Sequence, residues 1–380
     1  MKNPRIVGVE LGAFEGKRPR HAGKNARLGD HGQIVHTPVA HIILEDGTDG
    51  FGFSASSKEQ GEQLLNRRLD EFFHPEFGVL DAGRAFEFAL WDLIGQRTGE
   101  PVYRMAARVN GRSAPESLAV PAYDTSLYID DLEQTTDEKA ARLMAREAQE
   151  GYAAGHRAFK IKVGRGARHM PVEEGTARDI AVIHAVREAV GDECTLMLDA
   201  NNGYNLNLAK RVITETRSCN IYWIEEAFHE DDILYKELRG WMLDERMDVL
   251  IADGEGLASP RLLEWAEKGI VDVVQYDIFG YGFTQWLALG PRLVEWEALT
   301  APHHYGRLYG NYASGHLAAA MDSFSFIEWD EAVAHGLDVS NYRLVDGKVH
   351  IPDAPGFGIG IDIPWYGHLV HLNGWRVTTR

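Results

Sequence analysis

The stretch AFKIKVG (Ala158–Gly164) sets two lysines, one residue apart, in a run of alanine, phenylalanine, isoleucine and valine. Side chains alternate along a strand, so Lys160 and Lys162 share one face while Phe159, Ile161 and Val163 share the other. Two ammonium groups on one face repel each other, and burial aggravates the repulsion. Taken alone, the pattern reads as an edge strand with a solvated lysine face. The alternative is a buried strand whose lysines meet acids or an anion.

Composition narrows the choice. The chain has 380 residues, 44% of them hydrophobic, enough for a large core in one large or two moderate domains. A net charge of −18 argues against nucleic acid as a partner, because polyanions are bound by basic surfaces. The two cysteines, Cys194 and Cys219, are too few for a disulfide framework and fit a reducing compartment. The stretch MKNPRIVGVELGAFEGKRPR lacks a signal-peptide apolar run, and no window of about 18 apolar residues could span a membrane. A cytoplasmic protein with no membrane partner is expected.

From residue 118 onward, short apolar runs alternate with helical patterns. Strands are predicted at Leu118–Tyr123, Ala158–Val163, Thr195–Asp199, Ile221–Glu225, Val249–Ala252, Val271–Gln275, Leu299–Ala301 and Phe324–Ile327. Between them, ARDIAVIHAVREAVG sets Ile180, Ile183 and Val190 on one helix face and ends at Gly191, while Ser259 and Pro260 read as the start of another helix that stops at Gly269. This is an α/β pattern, a parallel (β/α) barrel of about eight strands over residues 118–335. Residues 1–117 read as an α+β capping domain. It holds a hairpin turning at Asp46–Gly50 and a helix with Phe86, Leu90, Trp91 and Ile94 at helical spacing. Residues 336–380 read as strand and turn, a C-terminal segment returning to the capping domain.

Three predicted strands end in acids: TLMLD at Asp199, IYWIEE at Glu225 and Glu226, and VLIADGE at Glu255 just past its strand. Strand C-termini converge on the active-site face of a barrel. A single acid there often caps the next helix, but three on consecutive strands repel unless a cation joins them, and an all-oxygen set favours Mg²⁺ over zinc. Further along, VDVVQYD presents Asp277, LTAPHHYG presents His303 and His304, and FSFIEWDE presents Glu328. An Asp one strand before a His can orient its imidazole for acid–base work.

At these residues the chain resembles the enolase superfamily, in its mandelate racemase-type subgroup. That subgroup carries K-x-K on the second barrel strand and acids ending the third, fourth and fifth. An Asp–His dyad follows on the sixth and seventh, and a Glu on the eighth. Outside the site, FALWDLIGQRTGEPVYRM and IPDAPGFG resemble the family's capping helix and closing segment, so the likeness spans nearly the whole chain. EEAF stands where the family usually has Glu-Glu-Pro. A Lys or His base working with Mg²⁺ is established chemistry for this superfamily.

The resemblance implies Lys162 as the base on one face of a carboxylate substrate. Lys160 would polarise that carboxylate and depress the pKa of Lys162. Asp199, Glu225 and Glu255 would hold Mg²⁺, which stabilises an enediolate. His303, oriented by Asp277, would act on the opposite face, and Glu328, protonated, would donate a hydrogen bond to a carboxylate oxygen. Asn201 and His304 are expected to contact substrate alongside Lys160. His303 and His304 are adjacent, and a register slip would exchange them; His303 is favoured because it follows Pro302.

The reaction implied is abstraction of the proton α to a carboxylate, most often dehydration of a sugar acid to a 2-keto-3-deoxy acid by a homo-oligomer. Racemisation, epimerisation or cycloisomerisation would use the same Lys/His pair, and non-catalytic binding of a sugar acid is the remaining alternative. The cation-rich segment Glu15–Gly32 reads either as a solvated loop or as a lid whose Arg20 and His21 touch the distal end of the substrate. The glycines of GRG (Gly164–Gly166) and GIG (Gly358–Gly360) lack a dinucleotide-binding context. HEDD (His229–Asp232) reads as a solvated helix start and His316 as a packed helix residue.

Overall fold

β1 (Ile6–Ala22), β2 (Gly32–Leu44) and β3 (Asp49–Phe53) form an antiparallel meander in the computed structural model, which describes residues 3–379. Against this sheet lies α1 (Glu87–Thr98), followed by α2 (Val102–Val109). The contact is close because β3 carries glycines. A Cβ at Gly50 would sit 2.4 Å from the Leu93 backbone nitrogen, and one at Gly52 2.2 Å from that of Ala89.

Eight parallel strands then close a barrel. They are β4 (Leu118–Leu127), β5 (Ala158–Lys162), β6 (Thr195–Asp199), β7 (Ile221–Glu225), β8 (Leu250–Asp253), β9 (Val273–Val274), β10 (Leu299–Thr300) and β11 (Ile327–Trp329). Neighbours pair in sequence order from β4 to β10, β11 pairs with β4, and a Thr300–Phe324 bridge closes the ring. The helices between them include α3 (Asp137–Ala154), α4 (Val172–Val190), α5 (Leu206–Glu215), α6 (Asp232–Asp244), α7 (Leu262–Glu267) and α8 (Phe283–Glu295). Ser259 and Pro260 do not open α7, which begins at Leu262; the Ser259 hydroxyl instead accepts from the Arg261 N–H in a turn.

Side-chain alternation divides the core in two. Tyr123, Ala158, Met197, Trp223, Ala252, Val273 and Ala301 fill the barrel interior. Phe159, Ile161, Leu196, Leu198 and Ile224 face outward into the layer between strands and helices. Cap and barrel are joined at Glu87 of α1, whose carboxylate accepts from the Phe283 and Thr284 N–H groups at the start of α8, at 3.0 and 2.7 Å. Beyond the barrel, β12 (Val333–Ala334) pairs with β1 at Gly16 and Lys17, and β13 (Lys348–Ile351) pairs with the base of β4. The helix α9 (Ile363–Asn373) and β14 (Trp375–Thr378) pack back on β1.

Candidate active site

Strand register sets the geometry of the site. Lys162 lies opposite Asp199 across β5 and β6, and Asp199 opposite Glu225 across β6 and β7. The three therefore share one row at the C-terminal rim. Glu328 of β11 lies opposite Tyr123 of β4, and Asp277 forms a parallel bridge with His303 just past β9 and β10. Glu255 follows Gly254, whose φ of +128° turns the chain inward beyond β8.

The lysine strand is interior, not an edge: Lys160 is 1% and Lys162 4% exposed. Lys160 Nζ lies 2.7 Å from Glu225 Oε1, 3.2 Å from Glu328 Oε1 and 3.5 Å from Asp199 Oδ2. Lys162 donates directly to Asp199 Oδ2. Burial and Lys160 both work against the Lys162 charge, yet Asp199, Glu255 and Glu225 together outweigh them and hold Lys162 above the ordinary lysine range. The expected depression of Lys162 by Lys160 is thus overridden by these carboxylates.

Asp199, Glu225 and Glu255 each offer an oxygen, all within 4.8 Å of one another. The set is all carboxylate, with no nitrogen or sulfur donor, as Mg²⁺ requires. Beside it, Asn201 Oδ1 and Gln275 Oε1 are buried without a hydrogen-bond partner. Glu225 is fixed from behind by Trp223 Nε1 at 3.1 Å and Gln275 Nε2 at 2.9 Å. Burial, with Asp199 and Glu255 nearby, pushes Glu225 up despite Lys160. Acids packed this closely ionise together only with added positive charge, and the donor set fits a hard divalent ion.

On the far side of the triad, His303 Nε2 lies 3.2 Å from Glu255 Oε2 and Nδ1 lies 3.3 Å from Asp277 Oδ2. Burial lowers its pKa, but Glu255, Glu328 and Asp277 push it up to about 10. Asp277 is itself held by the Phe279 and Gly280 N–H groups and by Arg307 at 3.0 Å. The neighbouring His304 is different. Its ring is fully buried against Gly310, both ring nitrogens lack partners, and burial drops its pKa to about 4. The expected substrate contact by His304 is replaced by a structural one, its backbone N–H donating to Glu328 Oε2 at 2.7 Å.

Glu328 also departs from expectation. Its oxygens accept from Thr125 Oγ1 (2.9 Å), Lys160 (3.2 Å) and the N–H groups of His304 (2.7 Å) and Tyr305 (2.9 Å). Burial favours the acid form, but Lys160, His303 and the His304 N–H win and hold it well below the usual carboxylate range. Glu328 is an ionised acceptor here, not a protonated donor.

Residues 143–365 match the enolase C-terminal domain-like family. The chain belongs to the enolase superfamily. Among curated relatives, the arabinonate dehydratase of Saccharolobus solfataricus is 28% identical over 322 residues, covering 80% of this chain and 77% of its own. Among solved structures, galacturonate dehydratase from Geobacillus sp., complexed with D-galacturonate and 5-keto-4-deoxy-D-galacturonate, superposes with a TM-score of 0.94 at 45% identity over 99% of both chains. A mandelate racemase/muconate lactonizing protein from Geobacillus sp. Y412MC10, complexed with magnesium and tartrate, gives 0.96 at 45% identity, covering 100% of this chain and 98% of its own.

In this superfamily member the mouth of the barrel is covered by the loop of residues 23–31. The segment Glu15–Gly32 is less loop than expected: β1 runs through Ala22, its residues alternating exposed Lys17, Pro19 and His21 with buried Arg18. At the loop tip Ala26 packs on two glycines of the rim; a Cβ at Gly164 or Gly203 would lie 2.9 or 2.6 Å from its own. His31 packs on Tyr128 and Tyr305, with ring centroids 4.7 and 5.8 Å away, and the Lys162 ammonium lies 5.2 Å from the Tyr128 centroid. The two expected contact residues face elsewhere. Arg20 reaches Glu150 and Ser126 Oγ outside the rim, at 3.1 and 2.8 Å, and His21 is an exposed neighbour of Asp30.

Asn201 sits among the acids, donating to Glu226 Oε2 at 2.9 Å and Glu255 Oε1 at 3.2 Å. Glu226 ends its predicted strand beside Glu225, as the sequence indicates, whereas Tyr123, Thr125, Tyr128, Gln275 and Tyr305 carry no functional expectation from the sequence. Gln275 closed a predicted strand next to Asp277, a readable signal. Thr125 and Tyr128 lay past the predicted end of β4 at Tyr123, where YDTSLY lacks the apolar alternation of a strand.

Proposed function

We propose that the protein is a Mg²⁺-dependent sugar-acid dehydratase acting on D-galacturonate or a closely related hexuronate. The observation that carries the reading is the placement of Lys162 and His303 on opposite flanks of one carboxylate triad, Lys162 on Asp199 and His303 on Glu255. Asp199, Glu225 and Glu255 hold the ion. Mg²⁺ bound there supplies positive charge opposite the negative charge that develops on the substrate carboxylate. Lys162 Nζ, in the neutral form open to it once Asp199 is no longer its counter-charge, takes the α-proton, leaving an enediolate, and Lys160 steadies the carboxylate end. His303 Nε2–H, its other nitrogen fixed on Asp277, gives a proton to the β-hydroxyl, which leaves as water. The resulting enol ketonises. On a uronate the α-carbon is C5 and the departing hydroxyl is on C4, so the product is the 5-keto-4-deoxy acid.

The 45% identity to galacturonate dehydratase over almost the whole chain supports the substrate class. Two free, buried cysteines support a reducing cytoplasmic location, and a homo-oligomer is expected. Incubation with D-galacturonate and Mg²⁺ in D₂O tests the reading. Keto-acid product carrying solvent deuterium is the expected result. Exchange with inversion at C5 and no dehydration product would make the enzyme an epimerase, and neither event across a panel of hexuronates would reject the proposal.

A further inference from the structure

Arg18 stands out among the residues that the mechanism does not use. It lies on β1, where the chain passes from the capping sheet toward the mouth, and is only 5% exposed. Its Nε and Nη2 donate to Asp330 Oδ1 and Oδ2 at 2.9 and 2.7 Å, a bidentate pair, while Nη1 donates to the Gly32 carbonyl at 3.2 Å. One side chain on β1 therefore ties Gly32, where the 23–31 loop ends, to Asp330 of the barrel. Asp330 is just beyond β11, two residues after Glu328, and is itself fixed: its N–H donates to Asn311 Oδ1 at 3.1 Å and its carbonyl accepts from Asn311 Nδ2 at 2.6 Å.

A second contact leads inward. The Arg18 guanidinium lies 4.5 Å from the Tyr305 ring centroid. Tyr305 donates its backbone N–H to Glu328 Oε2 at 2.9 Å, and its ring stacks on Tyr128 at 4.9 Å, against which Lys162 rests. Arg18 thus touches the strand and the loop that hold Glu328, and reaches Lys162 through two aromatic rings.

We propose that Arg18 is a positioning residue that couples closure of the 23–31 loop to the placement of Glu328 and Lys162. The loop then does more than exclude water: its seating sets the catalytic row, so that chemistry waits for the covered state. This rests on the α-proton abstraction proposed above. A planar fork is required because it satisfies Asp330, Gly32 and the Tyr305 face at once, which a lysine does only in part.

The test compares wild type, Arg18→Lys and the double variant Arg18→Met/Asp330→Asn, which removes both buried charges together. Turnover of D-galacturonate by wild type with Mg²⁺ is the control; its failure rejects the functional reading and leaves the loop assay standing. That assay is trypsin cleavage at Lys24 and Arg27 followed by mass spectrometry, and needs no substrate. The double variant is expected to be cut faster in the loop and to lose roughly 10²-fold in kcat, the scale of a 1 Å misplacement. Its KM should change far less, and its Mg²⁺-induced rise in Tm should match wild type. Arg18→Lys should recover part of the kcat. Wild-type kcat and wild-type cleavage in the double variant would overturn the proposal. Should that variant not fold, Tyr305→Leu keeps the ion pair while removing the ring between Arg18 and Tyr128; an unchanged kcat there would overturn it equally.

Discussion

Two clusters of buried charge sit side by side at the end of β5, and they are built to opposite plans. In one, Arg165 donates to Asp131 through Nε at 3.0 Å and to Asp179 through Nη1 at 2.7 Å, both acids fully buried. Asp179 also accepts from the Gly164 N–H and from Tyr204 Oη, each at 2.8 Å, and Arg178 joins Asp137 at 2.8 Å. Every charge there has a partner of the opposite sign. In the other, the five acids Asp199, Glu225, Glu226, Glu255 and Glu328 face four cations, Lys160, Lys162, His303 and, 3.5 Å from Glu226, Arg27, and polar atoms of Asn201 and Gln275 are left over. Glu226 shows the strain of that arrangement, with a φ of +42° and a carboxyl that burial and the acids around it push up to about 9. The balanced cluster holds the backbone, since Arg165 also donates to the Lys162 carbonyl at 3.2 Å. The unbalanced one is left short of positive charge, and that deficit is where a cation belongs.

The largest expected effect lies in the unbalanced cluster. Chelation with EDTA, or Asp199→Asn, should cut kcat/KM by about 10³-fold or more, since several kcal/mol of charge stabilisation is lost. Stability should move the other way. Glu225→Gln relieves repulsion among three carboxylates, so the Tm in EDTA should stay level or rise while activity disappears. A large loss of Tm would mean that the triad is structural after all.

The balanced cluster predicts the reverse. Asp131→Asn leaves Arg165 and Arg178 short of their counter-charge, which costs about 3–5 kcal/mol of stability. Urea denaturation measures this directly. The protein that remains folded should keep far more of its activity than an Asp199 variant. A stable but inactive Asp131→Asn would erase the distinction between the two clusters.

The unbalanced cluster is legible in the sequence and the balanced one is not, for a physical reason. Lys160, Lys162, Asp199, Glu225 and Glu328 lie on or at the ends of short apolar runs, where a charge is out of place and strand period fixes its face. Arg165, Asp131 and Asp179 lie in a single 3-10 turn, a loop and a helix, where charges are ordinary and only the packed fold shows that they meet. Protonation states were illegible too. The resemblance implies Glu328 as a donor, and the backbone N–H groups of His304 and Tyr305 that saturate it have no signature in sequence. The path of β1 was missed because Gly16 and Pro19 suggest a loop, whereas Arg18 and Asp330, far apart in the chain, hold it as a strand.

The smallest effect concerns a buried group with no counter-charge at all, and it sharpens what the other two clusters do. His316 is fully buried, accepts the Tyr103 N–H at Nδ1 at 3.0 Å, and lies 2.9 Å from Tyr342 Oη through Nε2. Among the described residues no acid is near enough to hold a proton on it, so burial drops its pKa to about 3, whereas His303, among acids, is pushed up to about 10. The unfolded chain takes up a proton on this histidine below about pH 6.5 while the folded chain does not. Its contribution is therefore complete above that pH and declines as the pH falls, at about 1.4 kcal/mol per unit. His316→Gln, which keeps an acceptor and a donor but cannot be charged, should flatten the denaturation midpoint between pH 6.5 and 5 relative to wild type. The variant should cost some stability at pH 8 through imperfect packing, so the two curves converge on acidification. Parallel curves would mean that His316 already carries a proton in the fold, and that burial without a counter-charge does not set its state.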